Sequence, residues 1–523
     1  MRLSVWWILT PLILLILIGC GGDSTSDRPK LDQVRIDVDA RRPAMSLSDY
    51  NLFSDLATLT PNDGVLPYQV NNSQYLDGAL LRYFVYIPPA AKIEFDSNGL
   101  PNLPVGSALI QNLSFPTDLR KPEEETRQLE TRLLIHQSKG WVAVPYLWNE
   151  DHSDAERSVV GEKTKIVWKD REGESQSFTY LTPDMNQCKR CHKQNDEVSP
   201  IGFTTRNLNM DIESSRERQN QLEHWMAMGL LKRSDKDRNS PKVASWRDSL
   251  SGTVEERARA WLDINCSNCH NPEGEAIVSG LDLSLDQDHP VRFGIYKPPV
   301  AAGRGSGGFR FSIDPGKPQS SFLLHRIRST EPGVMMPPLG RSTVDEEGSQ
   351  LIEEWIAQIR ADSELEERAL NPMAAYQGAL SGGDPGNGRV IFYEKFKCVA
   401  CHTAEKRGEG TVGPNLSDVG ARTDRNYLLE SLIEPSARVV EGFESVMVTT
   451  ADEEVLTGTI LSEDANQITL SNSAGGAESL NKSEILDRRD SSLSIMPSVA
   501  NLLSVQEVAD LLEYLSQQKT RIE

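Results

Sequence analysis

Apolar positions change their spacing along the chain. Between residues 44 and about 180 they come in short runs: Leu80–Ile87, Ala108–Ile110, Thr131–Ile135, Trp141–Val144 and Lys165–Trp168. These runs are rich in β-branched and aromatic side chains. Turn residues such as Ser97-Asn98-Gly99 and Arg171-Glu172-Gly173 separate them, which predicts a β-rich domain. Beyond about residue 181 the period becomes helical. A mainly helical stretch is predicted around Ser214–Leu231. Thr253-Val254-Glu255-Glu256 offers a capped start with acidic first-turn residues, followed by Ala258, Trp261 and Leu262. Leu351, Ile352, Trp355, Ile356 and Ile359 mark a second helix near Asp345–Ile359. The last part repeats this plan. A helix is predicted around Gly388–Phe396, and Ser504-Val505-Gln506-Glu507 caps a closing helix with Val508, Leu511, Leu512 and Leu515 as its stripe. Between those two, Val446–Val448, Leu456–Ile460 and Gln467–Leu470 alternate as strands do.

The expected fold class is therefore multidomain. It has an N-terminal β-rich domain at 44–180, a region at 181–250, a mainly α module at 251–362, and a linker at 363–384. A second α module at 385–523 carries a small β insertion over about 443–490. Each α module is expected to run a helix into a cysteine cluster and to pack a terminal helix across it.

The start of the chain reads as an export signal. Arg2 is a short positive region, Val5–Ile18 is apolar, and Leu17-Ile18-Gly19-Cys20 fits a bacterial lipobox. Cleavage after residue 19 leaves the Cys20 thiol to carry a diacylglycerol, with residues 20–43 as tether. The apolar run is short for a spanning helix. The expectation is a protein of the periplasm or cell surface, lipid-anchored to a bacterial membrane, the outer membrane favoured.

Charge narrows the partners. The 523 residues carry a formal net charge of −21, which argues against nucleic acid or anionic lipid as a docking partner and permits a basic redox protein.

Cysteine placement carries the chemistry. Six of the seven cysteines fall in three pentads: Cys188-Lys189-Arg190-Cys191-His192, Cys266-Ser267-Asn268-Cys269-His270 and Cys398-Val399-Ala400-Cys401-His402. Each is the attachment signature of a c-type haem. The two thiols bond the porphyrin vinyl groups, and His192, His270 or His402 becomes the proximal ligand of the iron. Structural zinc needs four ligands and orphans one pentad. A thioredoxin-like pair needs a βαβ setting. Three covalently bound haem c groups (iron) are the expectation. Met336-Pro337 and Met496-Pro497 stand downstream of the second and third pentads, each before a terminal helix, as distal ligands; Met335 competes with Met336. Gly413-Pro414-Asn415-Leu416 has the form of the turn that packs on the proximal histidine of small cytochromes c, where its carbonyl accepts the Nδ1 proton. No Met-Pro pair follows Cys188. Met210, Met226, Met228, His224 and His136 are candidates for the first iron, and an open sixth position is the alternative. Gly303-Arg304-Gly305-Ser306-Gly307-Gly308 matches a dinucleotide pattern but lacks the following helix, so it reads as a loop.

Two resemblances follow from these residues. Residues about 385–520 resemble the haem-binding domain family of planctomycete- and Verrucomicrobium-type bacteria. The likeness rests on Gly386 to Phe392, Cys398 to His402, Val412 to Leu416, Leu432-Ile433-Glu434-Pro435-Ser436, Gly458, Ser494 to Pro497 and Val508 to Leu511. It implies a class I cytochrome c fold with a β insertion, His402 and Met496 as axial ligands, and electron transfer. Residues about 46–360 resemble the exported di-haem c-type cytochromes of uncharacterised role, through Leu47 to Phe53, Glu130 to Leu134, Tyr146 to Asn149, Asn207 to Asn209, Asn265 to His270 and Met336 to Arg341. The fused third pentad departs from that family. The function expected is electron transfer between a periplasmic dehydrogenase and a downstream acceptor. The alternative is an oxidase or peroxidase-like haem enzyme working at the first haem, with the other two as relays.

Overall fold

A computed structural model describes residues 33–520, apart from 97–98, 123, 196, 214–217, 233–239, 300–306, 406–411, 452–454, 472–476 and 492–493. Cys20 and the segment expected to be an export signal lie outside the described residues, as does most of the glycine-rich loop at 303–308. No helix among the described residues is long and apolar enough to cross a membrane. The chain is multidomain, with a β-rich N-terminal region and a helical C-terminal part.

The N-terminal region is built on a six-stranded antiparallel meander: Val65–Tyr68, Leu80–Tyr86, Ala108–Pro116, Thr126–Gln137, Gly140–Trp148 and Ala155–Arg157, in that order. Both faces are covered, which is why its strands read as near-continuous apolar runs. One face buries Leu133, Ile135, Val144 and Tyr146 with Leu47 and Tyr50. The other buries Val85 and Leu109 under Phe203, Leu208, Trp225 and Leu231, so residues after the first pentad complete this domain. A hairpin, Glu162–Lys169 with Ser175–Thr182, closes a third cluster through Ile166 and Tyr180.

The helix predicted around Ser214–Leu231 is shorter than its pattern. Asp211–Glu213 pairs with Arg218–Asn220 as a ribbon, and the helix is Gln221–Ala227. Asn220 sets its start, its side chain accepting from Leu222 N and Glu223 N at 3.0 and 3.2 Å.

The middle region packs helix Val254–Leu262 against helix Glu346–Gln358. Thr253 and Glu256 close a capping box, and Trp261 donates to Asp345 at 2.8 Å. The last region packs helix Pro385–Val390 against helix Val505–Ser516. A Cβ at Gly388 would sit 2.1 Å from Asp510 O, so that crossing requires glycine. A five-stranded sheet over residues 445–491 stands between these helices in sequence. Residues 363–384, expected as a linker, carry the helices Ser363–Leu370 and Pro372–Ala375. Asp362 caps helix Ser363–Leu370, and the fully buried Tyr376 donates to Leu503 O at 2.6 Å.

The loop at 71–77 joins the meander to the middle region. Asn72 Oδ1 accepts from Trp246 N at 2.9 Å, and Tyr75 N donates to Asn265 Oδ1 at 2.8 Å. The Asp77 carboxylate, 5% exposed, accepts from Ser342 N, Thr343 N and Thr343 Oγ1, each at 2.7 Å. Truncating a buried charged acceptor strands several donors. Asp77→Ala is expected to cost about 2–4 kcal/mol in chemical denaturation. A loss below roughly 0.5 kcal/mol would show that these bonds do not hold the two regions together.

Candidate cofactor attachment sites

The first pentad lies on helix Met185–His192. Asp184 caps it, accepting from Asn186 N and Gln187 N at 2.7 and 2.8 Å. Spacing by three residues puts Cys188 and Cys191 on one helical face. His192 Nδ1 donates to Ser199 O at 2.8 Å. A carbonyl only accepts, so Nδ1 carries the proton and the Nε2 lone pair is available to a metal. Burial pushes the ring down to about 4. Beneath it, the fully buried Glu130 receives Arg132 at 2.8 and 3.0 Å and Tyr180 OH at 2.5 Å. Arg132 sits close enough to favour the Cys188 and Cys191 thiolates, although burial still lifts Cys188 to about 12.

The second and third pentads share a local device. In each, the leading α-helix widens into a π-type turn, Asp263–Ser267 taking in Cys266 and Ile391–Lys395 ending ahead of Cys398. Such turns recur at functional sites because they re-aim side chains within a helix. The apolar period of the sequence gives no sign of either.

At the second pentad, His270 Nδ1 bonds Ser279 Oγ at 2.9 Å, and that hydroxyl also accepts from Leu281 N. Burial lowers His270 to about 4, and Arg326 and Lys297 push the same way. Lys297 is 6% exposed, and burial alone brings it down to about 8. Among the described residues no carboxylate pairs with it. Burial also lowers Arg326 to about 10. The pattern of the sequence did not single out either cation.

At the third pentad, His402 Nδ1 donates to Pro414 O at 2.9 Å, as the Gly-Pro-x-Leu turn led us to expect. Burial lowers the ring's pKa. A Cβ at Gly413 would lie 2.6 Å from His402 Cε1, so the turn reaches the imidazole only because residue 413 has no side chain.

Both methionines lie on segments tied to their pentads. Met336 N donates to Arg326 O at 3.0 Å, and Met336 O accepts from the buried Arg341 at 2.7 and 3.1 Å. Arg341 in turn favours the Cys266 thiolate, although burial lifts that thiol to about 12. Arg341 is therefore the link that sequence reasoning missed. Met496 packs against the same core as Cys398 and Leu416. The candidates for the first site are dispersed. His136 is held by Leu103 O at 2.8 Å and stacked on Trp141, Met226 packs against the core containing Trp225, and Met228 is half exposed. Met210 and His224 are partly buried.

The first two pentads meet. The neighbouring Cys269 thiol pulls Cys191 down to about 7, and Cys191 raises Cys269 in return. Asn268 Nδ2 donates to Cys191 O at 3.3 Å, and Gln194 Nε2 donates to Asn268 O at 2.8 Å. A cleft of about 510 Å³ opens beside this contact, between Ser199, Arg206, Asp263 and Asn268.

The donor sets fit haem c. Each site offers two thiols and a neutral imidazole whose Nδ1 is engaged, and the macrocycle itself supplies the other in-plane ligands. Among the described residues no three His, Cys, Asp or Glu side chains group to hold a bare metal ion. Compared with protein-family models and with curated proteins, the chain matches none, so the resemblances rest on the quoted residues.

Two outcomes follow. Gly413→Ala should displace the His402 ring and cost about 1–3 kcal/mol in the C-terminal region; an unchanged melting temperature would contradict the contact. The second concerns acid stability of the cofactor-free polypeptide. Unfolded histidine protonates near 6.5, folded His192 and His270 near 4. Between these values the unfolded chain binds more protons, so stability is full above about pH 6.5 and drains as pH falls toward 4. Each ring should contribute about 2–3 kcal/mol of that loss. His192→Gln with His270→Gln should flatten the slope of urea midpoints from pH 7 to 4.5, and an unchanged slope would contradict burial of the neutral rings.

Proposed function

We propose that the chain is an exported, lipid-anchored c-type cytochrome with three covalently bound haems, passing electrons between a periplasmic dehydrogenase and a downstream acceptor. One observation carries this reading: each Cys-x-x-Cys-His pentad presents a buried, neutral histidine with Nδ1 hydrogen-bonded, and at His192 and His402 the carbonyl partner leaves Nε2 available. Bound haem c supplies one-electron exchange between ferric and ferrous iron.

The polypeptide does the rest. The pairs Cys188 and Cys191, Cys266 and Cys269, and Cys398 and Cys401 fix each group covalently. Ser199, Ser279 and Pro414 orient His192, His270 and His402 and raise their basicity. Met336 and Met496 serve as thioether ligands, which favour ferrous iron. Lys297 and Arg326 are cations available to the carboxylates of the second group. In this reading the two helical regions are class I cytochrome c-like modules, the last with the β sheet inserted. Cys20 is the lipid anchor, holding the protein on the periplasmic or surface side of a membrane, the outer membrane favoured. The charge of −21 suits a basic redox partner rather than nucleic acid.

A second reading makes the first site a peroxidase-like or oxidase centre. It is favoured by the commitment of His136 to Leu103 and Trp141 and by the exposure of Met228. Cyanide titration separates the two: one haem shifting its Soret band supports the enzyme, and none supports the carrier.

The main reading is tested by haem content and by ligand exchange. Protein from a host competent in cytochrome maturation should contain three haems per chain, and fewer than two would contradict the proposal. Met496→His should keep that content and lower one midpoint potential by a sizeable part of the roughly 0.8 V that axial ligands command. An unmoved potential would remove Met496 from the iron.

A further inference from the structure

We propose that the first two attachment sites form one coupled di-haem unit whose spacing is set by Gln194 and Asn268, while the third site is a separate centre. The inference rests on the haem reading above and adds to it which centres are paired.

The contact between Cys191 and Cys269 carries it. These are the second cysteines of two different pentads, 78 positions apart, and they are neighbours in the fold, because Asn268, next to Cys269, reaches the Cys191 carbonyl. In c-type attachment each sulfur is bonded to a carbon on the rim of its own porphyrin. Haems held by these two neighbouring cysteines would therefore be neighbours as well.

The surrounding bonds fix this contact. Asn268 lies between the cysteines of its pentad and donates from Nδ2 to Cys191 O at 3.3 Å. Gln194, two residues after His192, donates to Asn268 O at 2.8 Å. Asn195 N donates to Glu273 O at 3.1 Å, and Lys193 approaches Glu275 at 4.0 Å. Each half is anchored behind. Helix Met185–His192 has its capping box, and Asn265 holds the other half by accepting from Tyr75 N and donating to Trp261 O at 3.0 Å. Cys398 belongs to a different core, with Phe392, Leu428 and Leu512.

Two consequences follow from charge and spin. An electron on one member of a close pair in a low-dielectric interior raises the energy of placing a second beside it. Reduction of the pair is therefore anticooperative. Two ferric centres this close also broaden each other's paramagnetic resonance. Exchange within the pair is balanced without a co-reactant, because one iron is oxidised as the other is reduced. Gln194 and Asn268 are positioning residues, acting through the cysteines that they hold.

The experiment uses the full holoprotein, wild type and the variants Asn268→Asp and Gln194→Ala. Haem content is measured first, then potentiometric titration and electron paramagnetic resonance. In the wild type, two centres should titrate over a wider span than two independent one-electron curves, and the third as a simple curve. The oxidised sample should show two broadened signals, one of which sharpens when its neighbour is reduced. In the variants the two waves should draw together and the broadening should decline, with the third centre unmoved and haem content unchanged. Three haems giving three independent curves and three unbroadened signals in the wild type would overturn the pairing alone. Fewer than three haems would overturn the haem reading and the pairing with it. If a variant fails to accumulate, the wild-type spectra alone decide.

Discussion

Every site in this protein depends on one bond, which ties an imidazole Nδ1 to an oxygen of its own region. Ser199 O, Ser279 Oγ and Pro414 O each hold one ring. That bond does two things. It fixes the ring plane at all three sites, and where the partner is a carbonyl, at His192 and His402, it selects the tautomer whose Nε2 is free. Burial keeps the rings neutral, so no proton competes for Nε2 near neutral pH. Thiol spacing is the other half of the arrangement, and the two halves are built by different local structures. An α-helix presents the first pair, and π-type turns lead into the second and third.

The larger architecture serves placement. The meander is not an appendage, because residues 203–231 complete its second core and carry the chain from the first pentad toward the second. The loop at 71–77 then reaches across with Asn72, Tyr75 and Asp77 to grip the segments flanking the second pentad. With those grips in place, Cys191 meets Cys269. The C-terminal region follows a separate logic. It repeats the crossing of a leading and a closing helix, draws residues 363–384 into its own core through Tyr376, and holds its pentad there.

The sequence was legible where a pattern has a single physical meaning. Alternating or β-branched runs became strands, and Ser504 to Glu507 became the capping box that it spelled. The Gly-Pro-x-Leu turn met His402 because a glycine beside a ring and a carbonyl one residue on can do little else. Other features depend on distant partners and leave no local trace. Asn220 as a cap was hidden inside a helix-like period, and the ribbon at 211–220 shortened the helix. Within 363–384, read as a linker, Asp362 and Pro372 start helices that no apolar period announced. Arg341, Lys297 and the contact of the first two pentads are tertiary facts. Arg341 ends the Met336 to Arg341 stretch in the sequence, but only the fold shows its guanidinium holding the Met336 carbonyl.

The central claim is covalent capture of three haems by three cysteine pairs. Peptide mass mapping of the mature protein, secreted by a host with an intact cytochrome maturation system, addresses it most directly. The account predicts haem-modified peptides spanning Cys188–Cys191, Cys266–Cys269 and Cys398–Cys401. Recovery of those peptides with all six thiols free would contradict it.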